Sequence, residues 1–242
     1  MRSNTTPPSH VAITLRIDMP RPPFPQLLSG IRRYAESHPH WSYDIDPGLA
    51  LPRGADRLKP GLYDGVITRV GKGLAQRMRQ SQVPIVNTLF SAASHDTAGV
   101  YIDTQRVGEM AANHLRDRGY RRLAYLGPPD ERQAEVIGGA FVQAATDLGL
   151  NAWTAHVRDD VKGSDYWLEL TRHLDALLNR MQPPVGVLVA KAWVARYLSS
   201  LCEKRGWRVP DQLAIISVEN INDVLELSPQ ISCLVLDYER VG

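Results

Sequence analysis

From residue 10 onward, short runs of Val, Ile and Leu alternate with longer segments in which apolar residues recur every three to four positions. That alternation is the signature of βαβ units around a parallel sheet, whose strands are buried on both faces and so read as continuous apolar runs. The runs at 11–17, 41–45, 65–69, 84–87, 122–126, 152–157, 185–190, 213–218 and 232–236 predict strands. Helical periodicity predicts helices over 25–37, 74–80, 104–118, 132–148, 166–181 and 192–205. In the first of these, Leu27, Leu28, Ile31 and Tyr34 share one face. The best-marked helix is 104–118, with Asp103 placed as its N-cap and Gly119 where a left-handed residue ends a helix at least cost.

So many strand–helix repeats in 242 residues, interrupted by Gly127-Pro128-Pro129, predict an α/β fold of two doubly wound, Rossmann-like lobes. Ligands of such sheets bind beyond the carboxyl ends of the strands. The candidates are therefore the residues that follow strands: Arg16, Asp18, Arg69, Asn87, Thr88, Lys191, Glu219 and Asn220.

Composition narrows the function. Hydrophobic residues at 43% and charged residues at 22% are those of a globular chain and exclude disorder, collagen and coiled coil. The balance of 28 Lys and Arg against 26 Asp and Glu, a net charge of +2, is not that of a domain that grips DNA by itself. Two cysteines, Cys202 and Cys233, give neither a disulfide framework nor a zinc spacing, which fits a reducing cytoplasm. The apolar run at 11–15 is halted by Arg16 and Asp18 before a signal-peptide core could form, and no stretch reaches the roughly 18 apolar residues of a membrane span. The expectation is a cytoplasmic protein without a membrane partner.

No metal or cofactor is expected. His38-Pro39-His40 lacks a convergent third ligand. Gly71-Lys72-Gly73 is not part of a Gly-x-x-x-x-Gly-Lys-Ser/Thr loop. Neither a Gly-x-Ser-x-Gly elbow nor a His-Glu-x-x-His helix occurs, so nothing points to an enzyme.

The chain also echoes itself. Ile102-Asp103-Thr104-Gln105-Arg106-Val107-Gly108 and Leu236-Asp237-Tyr238-Glu239-Arg240-Val241-Gly242 share an apolar residue, Asp, and Arg-Val-Gly at equal spacing. Each reads as a strand end that feeds a capped helix. The second copy stops about one turn in, too short a helix to hold itself together, and is read as a chain interrupted at its C-terminus.

These residues carry a family resemblance. Residues 100–127, with Asp103, Gly108, Ala111, His114-Leu115, Gly119 and Gly127, resemble the periplasmic-binding-protein-like sensor domain of LacI-type and related sugar-responsive regulators. Gly206-x-x-Val209-Pro210-x-x-Leu213-Ala214, followed by Val218-Glu219-Asn220, resembles that family's Gly-x-x-Val-Pro strand and Asp-Asn ligand turn. Leu28-x-Gly30-Ile31-x-x-Tyr34-Ala35, Trp41, Asp64-Gly65-Val66-Ile67-x-Arg69 and Leu225-x-Leu227-Ser228 are similar to xylose-operon regulators of the XylR type, in the AraC/XylS group. The resemblance covers about residues 10–242.

It implies a type I periplasmic-binding-protein-like fold, with a three-segment hinge that crosses near Gly127, Glu219 to Asp223, and Asp237. The lobes would be 10–127 plus 224–236, and 128–223 plus 237–242. It further implies closure on a small effector, a sugar such as xylose, with DNA bound only through a helix-turn-helix domain outside this chain, and a homodimer reading paired half-sites. Two departures touch the ligand: Ile137 and Ala192 stand where relatives carry Arg and Asp. Glu219 keeps a carboxylate where the family has Asp, and Asn220 is retained.

Each site candidate has a second reading. Arg16 and Asp18 are ligand or gate residues, or a surface ion pair. Arg69 matches a family arginine at a strand end. Arg132 either replaces the missing Arg or is solvated. Trp193 either stacks on a sugar face or packs between helices. Lys191 either pairs with Glu219 or points to water. A solute-binding protein that serves a transporter shares the fold and is the alternative function, though it needs an export signal; an enzyme on this scaffold is the third reading.

Overall fold

The computed structural model describes residues 9–15, 23–51, 53–90, 97–158 and 165–242. Arg16, Asp18 and the expected strand end at Ile17 lie outside them. The chain divides into two compact units, Met1–Ile102 with Asp237–Gly242, and Asp103–Leu236.

The first unit holds a parallel sheet of four strands: β1 (Ser9–Thr14), β2 (Trp41–Ile45), β3 (Gly65–Thr68) and β4 (Ile85–Asn87), in the order β2-β1-β3-β4. Helices α1 (Phe24–Ser37) and α2 (Lys72–Arg79) and two short 3-10 turns, Pro47–Ala50 and Ala55–Arg57, connect the strands. One side of the sheet covers Leu49, Val66, Val70, Ala75 and Met78; the other covers Ile13, Leu15, Leu27 and Ile31.

In the second unit, α3 (Thr104–Asp117) leads into β5 (Arg122–Gly127), α4 (Arg132–Asp147), β6 (Asn151–His156), α5 (Tyr166–Arg180), β7 (Val185–Val189), α6 (Ala192–Lys204) and β8 (Leu213–Ser217). A one-turn helix α7 (Asn222–Leu225) and the short β9 (Ser232–Cys233) complete it. Its sheet, β6-β5-β7-β8-β9, is parallel throughout. Every residue of β7 and β8 is buried, as the continuous apolar runs required. Asp103 accepts the Arg106 N–H at 2.9 Å, and Gly119 ends the helix at φ +90°.

The observed lobe boundaries differ from those expected. Residues 103–127 belong to the second unit, because α3 packs on α4 and β5 pairs with both β6 and β7, so Gly127-Pro128-Pro129 lies inside that unit. Residues 224–236 also belong there, since β9 pairs with β8, so the crossing expected at Glu219 to Asp223 lies inside the second unit. Residues 237–242 belong to the first unit: they form α8 (Tyr238–Val241), whose Tyr238 and Val241 pack against the Ile13–Leu15–Leu27–Ile31 cluster. The chain passes between units at Ile102 to Asp103 and at Leu236 to Asp237, the two copies of the internal echo.

The echo has a packing reason. Asp237 accepts the Arg240 N–H at 3.0 Å, as Asp103 does that of Arg106. The glycine that ends each copy lies against another helix's backbone: a Cβ on Gly108 would sit 2.6 Å from the Phe141 nitrogen on α4, and one on Gly242 would sit 2.1 Å from the Leu27 carbonyl on α1. Gly30 returns the contact, since its Cβ would meet the Glu239 carbonyl. Gly108→Val is therefore expected to lower stability by about 1–3 kcal/mol through overpacking. Gly139→Ala, on the exposed side of α4 with open space around it, is expected to raise it by about 0.5–1 kcal/mol. Urea unfolding midpoints of the two variants check both signs.

Candidate functional site

Because β5, β7 and β8 are adjacent and parallel, the turns that leave their carboxyl ends are neighbours. Glu131 precedes α4, Lys191 precedes α6, and Glu219 follows β8. The three converge: Lys191 Nζ lies 2.8 Å from Glu131 Oε2 and 3.4 Å from Glu219 Oε1. The ammonium is the most enclosed member, with its side chain 17% exposed against 44% and 36% for the carboxylates. The second oxygen of Glu219 accepts the Ala192 N–H at 3.1 Å, which sets a negative charge on the positive end of α6. Ser217 Oγ donates to the Glu219 carbonyl at 2.7 Å and holds the turn.

Of the two readings of Lys191, the pair with Glu219 is the one present. Glu131 was not anticipated, since only the sheet order brings the β5 turn beside it. Asn220 accepts a hydrogen bond from the Cys233 thiol at 3.3 Å, tying the β8 turn to β9. The cluster carries one positive and two negative charges, so its exposed oxygens present acceptors to a ligand hydroxyl.

Other candidates are placed differently. Arg132 is solvent-facing and pairs with Glu135 at 3.5 Å, one turn along its own helix, rather than with Glu131 or Glu219. Trp193 packs between helices, its ring 5.7 Å from Trp167 at 80° and 6.2 Å from Tyr166. Arg69 lies in the first unit, where it donates to the Thr88 carbonyl and sits 5.8 Å from the centre of the Tyr238 ring. Asn87 is fully buried and structural: its amide donates to the Val70 carbonyl at 2.9 Å and accepts from the Val70 and Leu89 N–H groups. Thr88 donates to the Thr68 carbonyl at 3.1 Å. Ile137 and Ala192 are both buried and add no polar group to the site.

Arg196 on α6 was also missed. Its guanidinium donates to the carbonyls of Val224, Leu225, Leu227 and Pro229 at 2.7–3.0 Å, so one side chain gathers the end of α7 and the loop that leads from it to β9. Its partners are backbone atoms, which leave no trace in residue types. Both cysteines are free, and burial pushes the Cys202 thiol up to about 11. Among the described residues, no group of three His, Cys, Asp or Glu is arranged to hold a metal, and no helix is long and apolar enough to cross a membrane.

Two parallel α/β units with this site at strand carboxyl ends define a type I periplasmic-binding-protein-like fold. Residues 112–242 match the model of the periplasmic binding protein-like domain, and the chain belongs to that family. The xylose operon regulatory protein of Escherichia coli (strain K12) is 25% identical over 208 residues, which cover 81% of this chain and 51% of that protein. The HTH-type transcriptional regulator GntR of the same strain is 24% identical over 228 residues, 90% of this chain and 67% of that one. Among solved structures, the xylose-binding transcription activator xylR superposes with a TM-score of 0.75 at 19% identity, over 97% of this chain and 60% of that one. A periplasmic binding protein/LacI transcriptional regulator from Alkaliphilus metalliredigens QYMF, complexed with D-xylulofuranose, gives 0.68 at 18% identity, over 97% and 86%. The chain spans about half the length of the xylose operon regulators it matches. These relatives are transcription regulators, not enzymes.

Arg196→Ala is expected to destabilise the second unit by about 1.5–3 kcal/mol, the scale of hydrogen bonds to a charged group. Amide exchange at Leu225 and Glu226 should accelerate before global unfolding. Arg196→Lys should recover little, because an ammonium lacks the planar fork that spans four carbonyls.

Proposed function

We propose that this chain is the effector-sensing part of a cytoplasmic transcription regulator that responds to a sugar, with DNA contact made by a helix-turn-helix domain outside these 242 residues. The observation that carries this reading is the Glu131–Lys191–Glu219 cluster at adjacent strand carboxyl ends, in a chain of the periplasmic-binding-protein-like family. The near-neutral charge supports assigning DNA contact elsewhere. The sensing step is hinge closure, driven by an effector that binds one posture better than the other. A homodimer would match paired half-sites, and the similarity to XylR-type regulators favours an AraC-type DNA-binding domain.

Xylose is the first effector to test, on the strength of the relatives named for it. The replacement of Arg and Asp by Ile137 and Ala192 removes a charge-assisted donor and acceptor pair. The effector should therefore be held by the carboxylates of Glu219 and Glu131 and carry fewer charge-assisted contacts than in relatives with that pair.

The test is a thermal-shift screen against pentoses, hexoses, sugar acids and sugar phosphates. A ligand at about 100 times its Kd adds roughly 2.7 kcal/mol to stability. A shift confined to one sugar, and abolished by Glu219→Ala, is the expected outcome. No shift with any of them, or one that Glu219→Ala leaves intact, overturns the assignment of this cluster to a sugar.

A further inference from the structure

At the opposite edge of the second unit's sheet, the amino ends of the strands enclose a pocket of about 300 Å³. Arg122, Asn151 and Val185 are the first residues of β5, β6 and β7, and parallel pairing sets them side by side. The end of α5 closes the pocket with Arg180, Met181 and Gln182. Its size lies at the lower end of small-molecule sites.

The lining is divided by chemistry. Val185 and Met181, both buried, supply an apolar floor, and the half-buried Trp153 on β6 supplies an aromatic wall. Two guanidiniums and two side-chain amides complete the lining, and no carboxylate is among its residues. Several arginines elsewhere in the chain are matched with acids: Arg32 with Glu36, Arg57 with Asp46, Arg205 with Asp175, Arg208 with Asp211. Here Arg122 donates from Nη1 to the Gln182 carbonyl at 3.1 Å, which leaves its other donors uncommitted. Arg180 makes no hydrogen bond or ion pair among the described residues. Its place in the last turn of α5 suits the helix dipole, but that interaction uses none of its N–H groups.

We propose that this pocket is a second binding site, distinct from the sugar cluster, for a small organic phosphate that presents a flat ring, of the mononucleotide class. Guanidinium forks match phosphate oxygens with paired hydrogen bonds. The indole of Trp153 offers a stacking face, and the Asn151 and Gln182 amides offer both donors and acceptors to a ring edge. An apolar floor with a rim of two unmatched cations favours an amphiphilic anion over a neutral sugar.

The probe is AMP, titrated calorimetrically into the chain, with adenosine and inorganic phosphate as partial probes. AMP should bind at least tenfold more tightly than either, with an affinity that falls as salt rises. Arg180→Gln and Arg122→Gln should each weaken it at least fivefold, while Glu219→Ala leaves it unchanged. Arg122→Gln also removes the bond to the Gln182 carbonyl, so Arg180→Gln, whose side chain has no such role, is the decisive variant. AMP that binds no better than adenosine, that is indifferent to Arg180→Gln, or that is lost in Glu219→Ala overturns the proposal. Failure of the sugar screen alone leaves this result standing, because the two sites share no residue.

Discussion

Side-by-side parallel pairing of β5, β7 and β8 is the constraint on which the second unit depends. The ladder fixes all three carboxyl ends at one edge, and burial of both faces fixes the register, since a slip of one residue would turn apolar side chains to the wrong layer. Glu131, Lys191 and Glu219 meet because their strands are neighbours, although they are far apart in the chain. The same ladder sets the first residues of β5, β6 and β7 together at the other edge, where Arg122 and Asn151 line the pocket. One sheet thus carries an acid-rich cluster at one end and a cationic pocket at the other.

The passages between units obey a second constraint, close approach of helices. Each begins with an aspartate that satisfies a free N–H of the helix start and ends with a glycine pressed on another helix's backbone. The repeat of Asp and Arg-Val-Gly follows from the repeat of that packing problem. Any Cβ at Gly108 would force α3 off α4, and the Ile137 carbonyl, 2.8 Å from that position, is part of the contact.

Glu219 also serves the helix that follows the neighbouring strand. Ala192 is fully buried, and its backbone N–H is held by Glu219, so the carboxylate caps α6 without an acid on the helix itself. Lys191 then balances part of the charge of Glu219 and Glu131. The two carboxylates are partly exposed, so water screens their pairing with the more enclosed Lys191 ammonium.

Read from the chain alone, the strand–helix alternation, the Asp103 cap, the Gly119 stop and the α/β class were legible, because burial periodicity and cap chemistry are local. Lys191 and Glu219 were legible as candidates, since both follow strands, but the choice between their pairing and a solvated lysine was not. The unit boundaries were not: Gly127-Pro128-Pro129 marks a local break, whereas unit membership is decided by which strands hydrogen-bond. Glu131 and Arg196 escaped notice for the same reason. One depends on strand order and the other on backbone carbonyls brought near by folding, and neither long-range pairing nor a carbonyl acceptor is written in residue types. The sequence determined the elements and the chemistry that follows each strand; the tertiary structure decided which of those chemistries meet.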